Sequence, residues 1–144
     1  MGLDLNPRYI DSARKRYGHR ATFYCKKVGR DTFNEFSSFD IVLANGLIHH
    51  LNDREAISFF QLARTVLRSG GRLVTMDGCY LEGQSAIARF LISMDRGEYV
   101  CTQEQYLSLA DTVFPDIRTN ILHDMIRIPY THIIMDCSID GSAI

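Results

Sequence analysis

Apolar and polar positions fall into blocks along this chain, and the period of the pattern changes from block to block. A short apolar run at residues 2–5 reads as a strand and ends at Asn6-Pro7, a good helix start: Asn can cap the first turn and Pro is pre-set for it. Ile10, Ala13 and Tyr17 then recur at helical spacing until Gly18. "ATFYCKK" (21–27) predicts a second strand, and the polar, Gly29-broken stretch 28–37 predicts a loop with at most a helical turn. "FDIVLAN" (39–45) is almost continuously apolar, the pattern of a parallel strand covered on both faces.

The second half follows similar rules. Asn52 with Glu55 three residues on predicts a capped helix whose apolar face is Phe59, Phe60, Ala63, Val66 and Leu67, stopped by Ser69-Gly70-Gly71. "RLVTMDG" (72–78) predicts another buried strand. Residues 84–94 read as a helix, and Thr102 with Gln105 starts one that runs to Thr112. "DIRTNILHDMI" and "YTHIIMDCS" are β-rich runs separated only by "RIPY", which predicts an antiparallel pair at a sheet edge. Alternating strands and helices closed by such a pair predict an α/β, doubly wound sheet.

Composition narrows the function classes. The 144 residues carry a formal net charge of −1, so no basic excess points to nucleic acid or a membrane surface. No apolar stretch reaches a membrane-spanning length, and Met1 is followed at once by Asp4, Asn6 and Pro7, not by a leader-like apolar run. Cys25, Cys79, Cys101 and Cys137 lie far apart without a Cys-x-x-Cys pair, the pattern of buried reduced thiols in a cytosolic protein.

Candidate chemistry gathers at strand ends. Asp4, at the end of the first strand, suits either a ribose hydroxyl or the helix start beside it. "ANGLIHHL" follows the central strand, where ligands bind in open α/β sheets, and Asn45-Gly46 permits close backbone approach. The adjacent His49 and His50 lack metal-ligand spacing. Tyr80 suits a pocket or the core equally, while Arg89 reads as a solvated helix residue. Asp95, Arg96 and Tyr99 form a polar turn with the make-up of a lid, although exposed turns commonly look this way. His123 and His132 read as sheet residues.

"GLDLNPRYIDSARKRYG" and "FDIVLANGLIHHLNDREAISFFQLARTVLRSGGRLVTMDG" resemble the class I S-adenosylmethionine-dependent methyltransferases, and the C-terminal third resembles a small bacterial-type branch of them. The resemblance implies one domain over 1–144, a Rossmann-like sheet with an antiparallel C-terminal pair. It also implies that the family's first strand, Gly-x-Gly loop and first helix would precede Met1. It makes S-adenosyl-L-methionine the cofactor, held by Asp4, Leu5, Val28, Ala44, Asn45 and Gly46, with Lys27 where the family often has an adenine-binding Asp. It makes His50 the catalytic base; His49 and Tyr80 are the substrate-pocket candidates, and no metal is expected.

The implied activity is methyl transfer to a small-molecule acceptor by a cytoplasmic protein without nucleic-acid or membrane partners. Without the central strand, two inner sheet edges would be unpaired, so a homodimer or higher assembly through edge pairing or swapping is expected. The alternative is a non-catalytic, truncated remnant acting as an oligomeric or binding module, and cofactor affinity separates the two. A nicotinamide dehydrogenase would share the strand-end acid but fits "LRSGGRLV" and the antiparallel ending less well.

Overall fold

The computed structural model describes residues 1–29, 38–95, 97–123 and 125–139. The chain divides into two compact units, Met1–Ser37 and Ser38–Ile144.

In the first unit, β1 (Gly2–Asp4) pairs in parallel with β2 (Phe23–Cys25), and α1 (Pro7–Tyr17) connects them. Asn6 caps α1 by accepting from the Arg8 N–H, and Pro7 opens the helix as expected. The Arg14 guanidinium donates twice to the Phe23 carbonyl, at 2.7 and 3.1 Å, and so ties α1 to β2. Ile10 is the buried residue of α1. Both strands are shorter than their apolar runs suggest. Most of the loop expected at 28–37 lies outside the described residues, as does Arg96.

The second unit is a four-stranded mixed sheet in the order β3-β4-β6-β5, built from β3 (Phe39–Asn45), β4 (Leu67–Gly78), β5 (Asp116–Leu122) and β6 (His132–Ser138). β3 and β4 are parallel, while β6 runs antiparallel to both of its neighbours. The expected C-terminal pair is therefore present, with β5 at the outer edge. β5 stops at Leu122, opposite His132, short of the apolar run to Ile126.

The helices are α2 (Asp53–Val66), α3 (Ala86–Ser93) and α4 (Gln103–Asp111). Both capping boxes form: Asn52 with Glu55, and Thr102 with Gln105. Phe60 of α2 is fully buried and meets Phe114 edge-on at 6.4 Å. Arg64 of α2 donates to the Val113 carbonyl at 2.7 Å.

Two expectations need correction. α2 ends at Val66, before the Ser69-Gly70-Gly71 stop. Leu67 turns extended (φ −80°, ψ 137°) and pairs with Phe39, so the serine and glycines belong to an irregular start of β4. Gly70 takes φ 74°, and a side chain at Gly71 would stand 2.7 Å from the Arg68 carbonyl. Nor is β3 covered on both faces: Ile41 and Leu43 are 59% and 73% exposed. Among the described residues β3 pairs only with β4, and β1 only with β2, so each keeps an open edge.

Candidate functional site

Because β3 and β4 are parallel, their carboxyl ends lie on one side of the sheet. At the end of β3 the chain turns at Gly46, whose φ of 62° disfavours any side chain. The Gly46 N–H donates to the Met76 carbonyl at 2.7 Å, which fixes this turn against β4. A single 3-10 turn, Ile48–His50, follows and sends the two histidines in different directions.

His49 points inward and is 6% exposed, whereas His50 is exposed, with its ring centroid 4.3 Å from that of His49. Asp77, the last acid of β4, is 2% exposed. Its Oδ1 accepts from the backbone N–H of His49 at 3.2 Å and stands 2.8 Å from His49 Nδ1. An ionised carboxylate only accepts, so this contact places the hydrogen on Nδ1 and the lone pair on Nε2.

The surroundings of Nε2 follow from the ring's own geometry. Cε1 faces Gly46, where a Cβ would stand 3.6 Å away, and Cδ2 faces Gly97, where a Cβ would collide with it. Nε2 lies between those two carbons, so two glycines flank it. No hydrogen bond engages it among the described residues.

Around Asp77 the fold places further polar groups. The buried Tyr106 hydroxyl donates to the Gly78 carbonyl at 2.9 Å and steadies the end of β4. Burial raises its pKa, and the Asp77 charge adds to that. Burial likewise pushes the Cys79 thiol up to about 12, with Glu104 and Cys101 adding to it. Cys101 is raised by burial first, then by Asp53 and Asp77. All four cysteines are free; Cys79 and Cys137 are buried, but Cys25 is exposed and Cys101 only half-buried, which corrects the expectation of four buried thiols. Asp77 Oδ2 is buried without a partner among the described residues.

The remaining candidates divide by unit. In the second, Ala44 is buried, Asn45 exposed, and Tyr80 half-buried beneath the Arg89 guanidinium, 5.1 Å above its ring. Tyr80 also lines a cleft of about 390 Å³ with Asp95, Gly97 and Val100. In the first unit, Asp4 is exposed and accepts from the Asn6 N–H at 2.7 Å, so the acid does serve the helix start. Leu5 is 66% exposed, Val28 half-buried and Lys27 exposed. Among the described residues no group of three or more metal-ligating side chains forms.

Sequence reasoning missed Asp77 and Gly97. The signal for Asp77 was a single acid in the otherwise apolar end of "RLVTMDG"; nothing in the sequence singled out Gly97.

Comparison with known proteins bears on what this site belongs to. Residues 1–71 match the methyltransferase-domain family model. The chain aligns over 94% of its length with a possible exported protein from Bordetella parapertussis (18% identity, TM-score 0.65, 52% of that chain). It aligns over 94% with mitomycin 7-O-methyltransferase MmcR (16% identity, TM-score 0.65, 40% of that chain). The chain has the class I methyltransferase fold.

The same methyltransferase fold aligns over 94% of this chain with LepI in complex with SAM, at 14% identity and TM-score 0.64, covering 35% of that protein. The chain therefore spans about half or less of the length of these three structures. A comparison with curated protein sequences found no match. Among the described residues no helix is long and apolar enough to cross a membrane.

Proposed function

We propose that this methyltransferase-fold chain takes part in methyl transfer from S-adenosylmethionine to a small molecule bearing a hydroxyl or amine, with His49 as the base. The observation that carries this reading is the buried Asp77–His49 pair at the sheet's carboxyl edge, with Nε2 free between Gly46 and Gly97.

The residues present fit the cofactor within each unit. The exposed Asp4 carboxylate, with one oxygen on Asn6 N–H, suits ribose hydroxyls, and Leu5 and Val28 suit the adenine faces. Asn45 and the bare backbone of Gly46, after the buried Ala44, suit the methionine end. When bound, the cofactor supplies an electrophilic methyl group. His49 Nε2 takes the proton from the acceptor, and Asp77 holds the ring in the right tautomer and stabilises the imidazolium that forms. The catalytic role expected of His50 passes in this reading to His49, because His50 is exposed and no carboxylate contact is shown for it. Tyr80 is left as a pocket residue beside the cleft.

A second reading, a binding module working through assembly, draws on the open edges of β1 and β3 and the exposure of Ile41 and Leu43. On that reading two copies pair or swap strands. Calorimetric titration of this chain with S-adenosylmethionine and S-adenosylhomocysteine, with its mass measured in solution, separates the two. Binding supports methyl transfer; a folded oligomer that binds neither supports the module.

A further inference from the structure

The base proposed above is covered. Gly97 passes so close to the His49 ring that only glycine fits there, and two residues on the Tyr99 N–H donates to the His49 carbonyl at 3.0 Å. Gly97 also lines the 390 Å³ cleft with Tyr80, Ile92, Asp95 and Val100. A molecule in that cleft thus has this strap between itself and the imidazole.

The chain leading into the strap is tied to another connection. Asp95, which leaves α3 through its N–H to the Ile92 carbonyl, accepts a hydrogen bond of 2.5 Å from the Tyr130 hydroxyl. Tyr130 stands just before β6, on a different connection from the strap. Its ring reaches Asp95 by crossing Gly78, where a Cβ would stand 2.5 Å from the hydroxyl. Gly78 directly follows Asp77, so one glycine admits the latch and another admits the strap. Burial, and then Asp95 itself, raise the Tyr130 pKa, which keeps the hydroxyl a donor in the physiological range.

We propose that the Tyr130–Asp95 hydrogen bond is the latch that holds the 97–99 strap over His49, and that an acceptor in the cleft reaches Nε2 only when this strap lifts. Tyr130 and Asp95 are then positioning residues that set access to the base. The proposal rests on the His49 reading for its functional meaning, and its test reads the strap without activity, so the two can fail separately.

The test uses this chain with Tyr130→Phe, Asp95→Ala and Asp95→Asn. Two readouts are taken: amide hydrogen exchange at Tyr99, and modification of histidines by diethyl pyrocarbonate followed by mass spectrometry. Tyr130→Phe and Asp95→Ala are expected to speed both Tyr99 exchange and His49 modification roughly tenfold or more, as removal of one charge-assisted hydrogen bond would. Asp95→Asn, which keeps an acceptor for the hydroxyl but loses its charge, is expected to fall between wild type and Asp95→Ala, and the exposed His50 is expected to be unchanged in all three. Unchanged rates at Tyr99 and His49 overturn the latch, as does a uniform rise at every histidine, which would mean general loosening. Should Tyr130→Phe fail to fold, the contrast between Asp95→Ala and Asp95→Asn decides the matter alone.

Discussion

One oxygen of Asp77 serves His49 twice, meeting its backbone N–H at 3.2 Å and its Nδ1 at 2.8 Å. A strand-end acid thereby sets both the position of the 3-10 turn and the orientation of the imidazole. The relationship joins two chain segments 28 residues apart and fixes which ring nitrogen keeps its lone pair.

His49→Ala is expected to lower kcat for methyl transfer by about 10²–10⁴-fold, the usual range for a lost general base. Asp77→Asn should also lower kcat by disturbing the tautomer, whereas His50→Ala should leave turnover near wild type. Steady-state kinetics of the three variants checks this. A loss at His50 with none at His49 would reverse the assignment.

Two glycines should resist substitution for steric reasons. Alanine at Gly97 collides with His49, and alanine at Gly78 meets the Tyr130 hydroxyl at 2.5 Å. Each is expected to cost about 1–3 kcal/mol by overpacking. Gly29→Ala is the control, because a Cβ there meets nothing within 4 Å among the described residues. Urea denaturation midpoints give the comparison.

The second unit's core and its helix start should differ in weight. Phe60 is fully buried against Phe114, so Phe60→Ala is expected to cost about 3–5 kcal/mol. Asn52→Ala removes one side of the α2 capping box and should cost about 1 kcal/mol. Equilibrium unfolding of both variants tests the ranking.

His132 should make the fold sensitive to acid. Burial lowers its pKa below the ordinary 6.5, against the opposing pull of Asp77 and Asp95. The unfolded chain therefore takes up the proton first. The His132 contribution is complete above 6.5 and falls as pH drops from there through the folded value. His132→Gln should flatten the decline in unfolding midpoint with falling pH, and an identical decline would remove His132 as a cause.

Local signals carried well from sequence to structure. Asn6-Pro7, Asn52 with Glu55, and Thr102 with Gln105 each begin a helix because capping is decided within four residues. The antiparallel β5–β6 pair was legible because its two β-rich runs follow one another along the chain. What depended on distant partners was not legible. The early end of α2 reflects Leu67 pairing with Phe39, and the exposure of Ile41 and Leu43 depends on what packs over that face of β3, which the apolar run alone does not reveal. Adjacent histidines look alike in sequence. Asp77, far along the chain, is what distinguishes them.

The most direct measurement is long-range ¹H–¹⁵N NMR of the His49 ring in this chain at neutral pH, with Asp77→Asn alongside. The account predicts a neutral imidazole protonated at Nδ1 and bare at Nε2, with that preference lost in the variant. A ring protonated at Nε2, or one unchanged by Asp77→Asn, would contradict it.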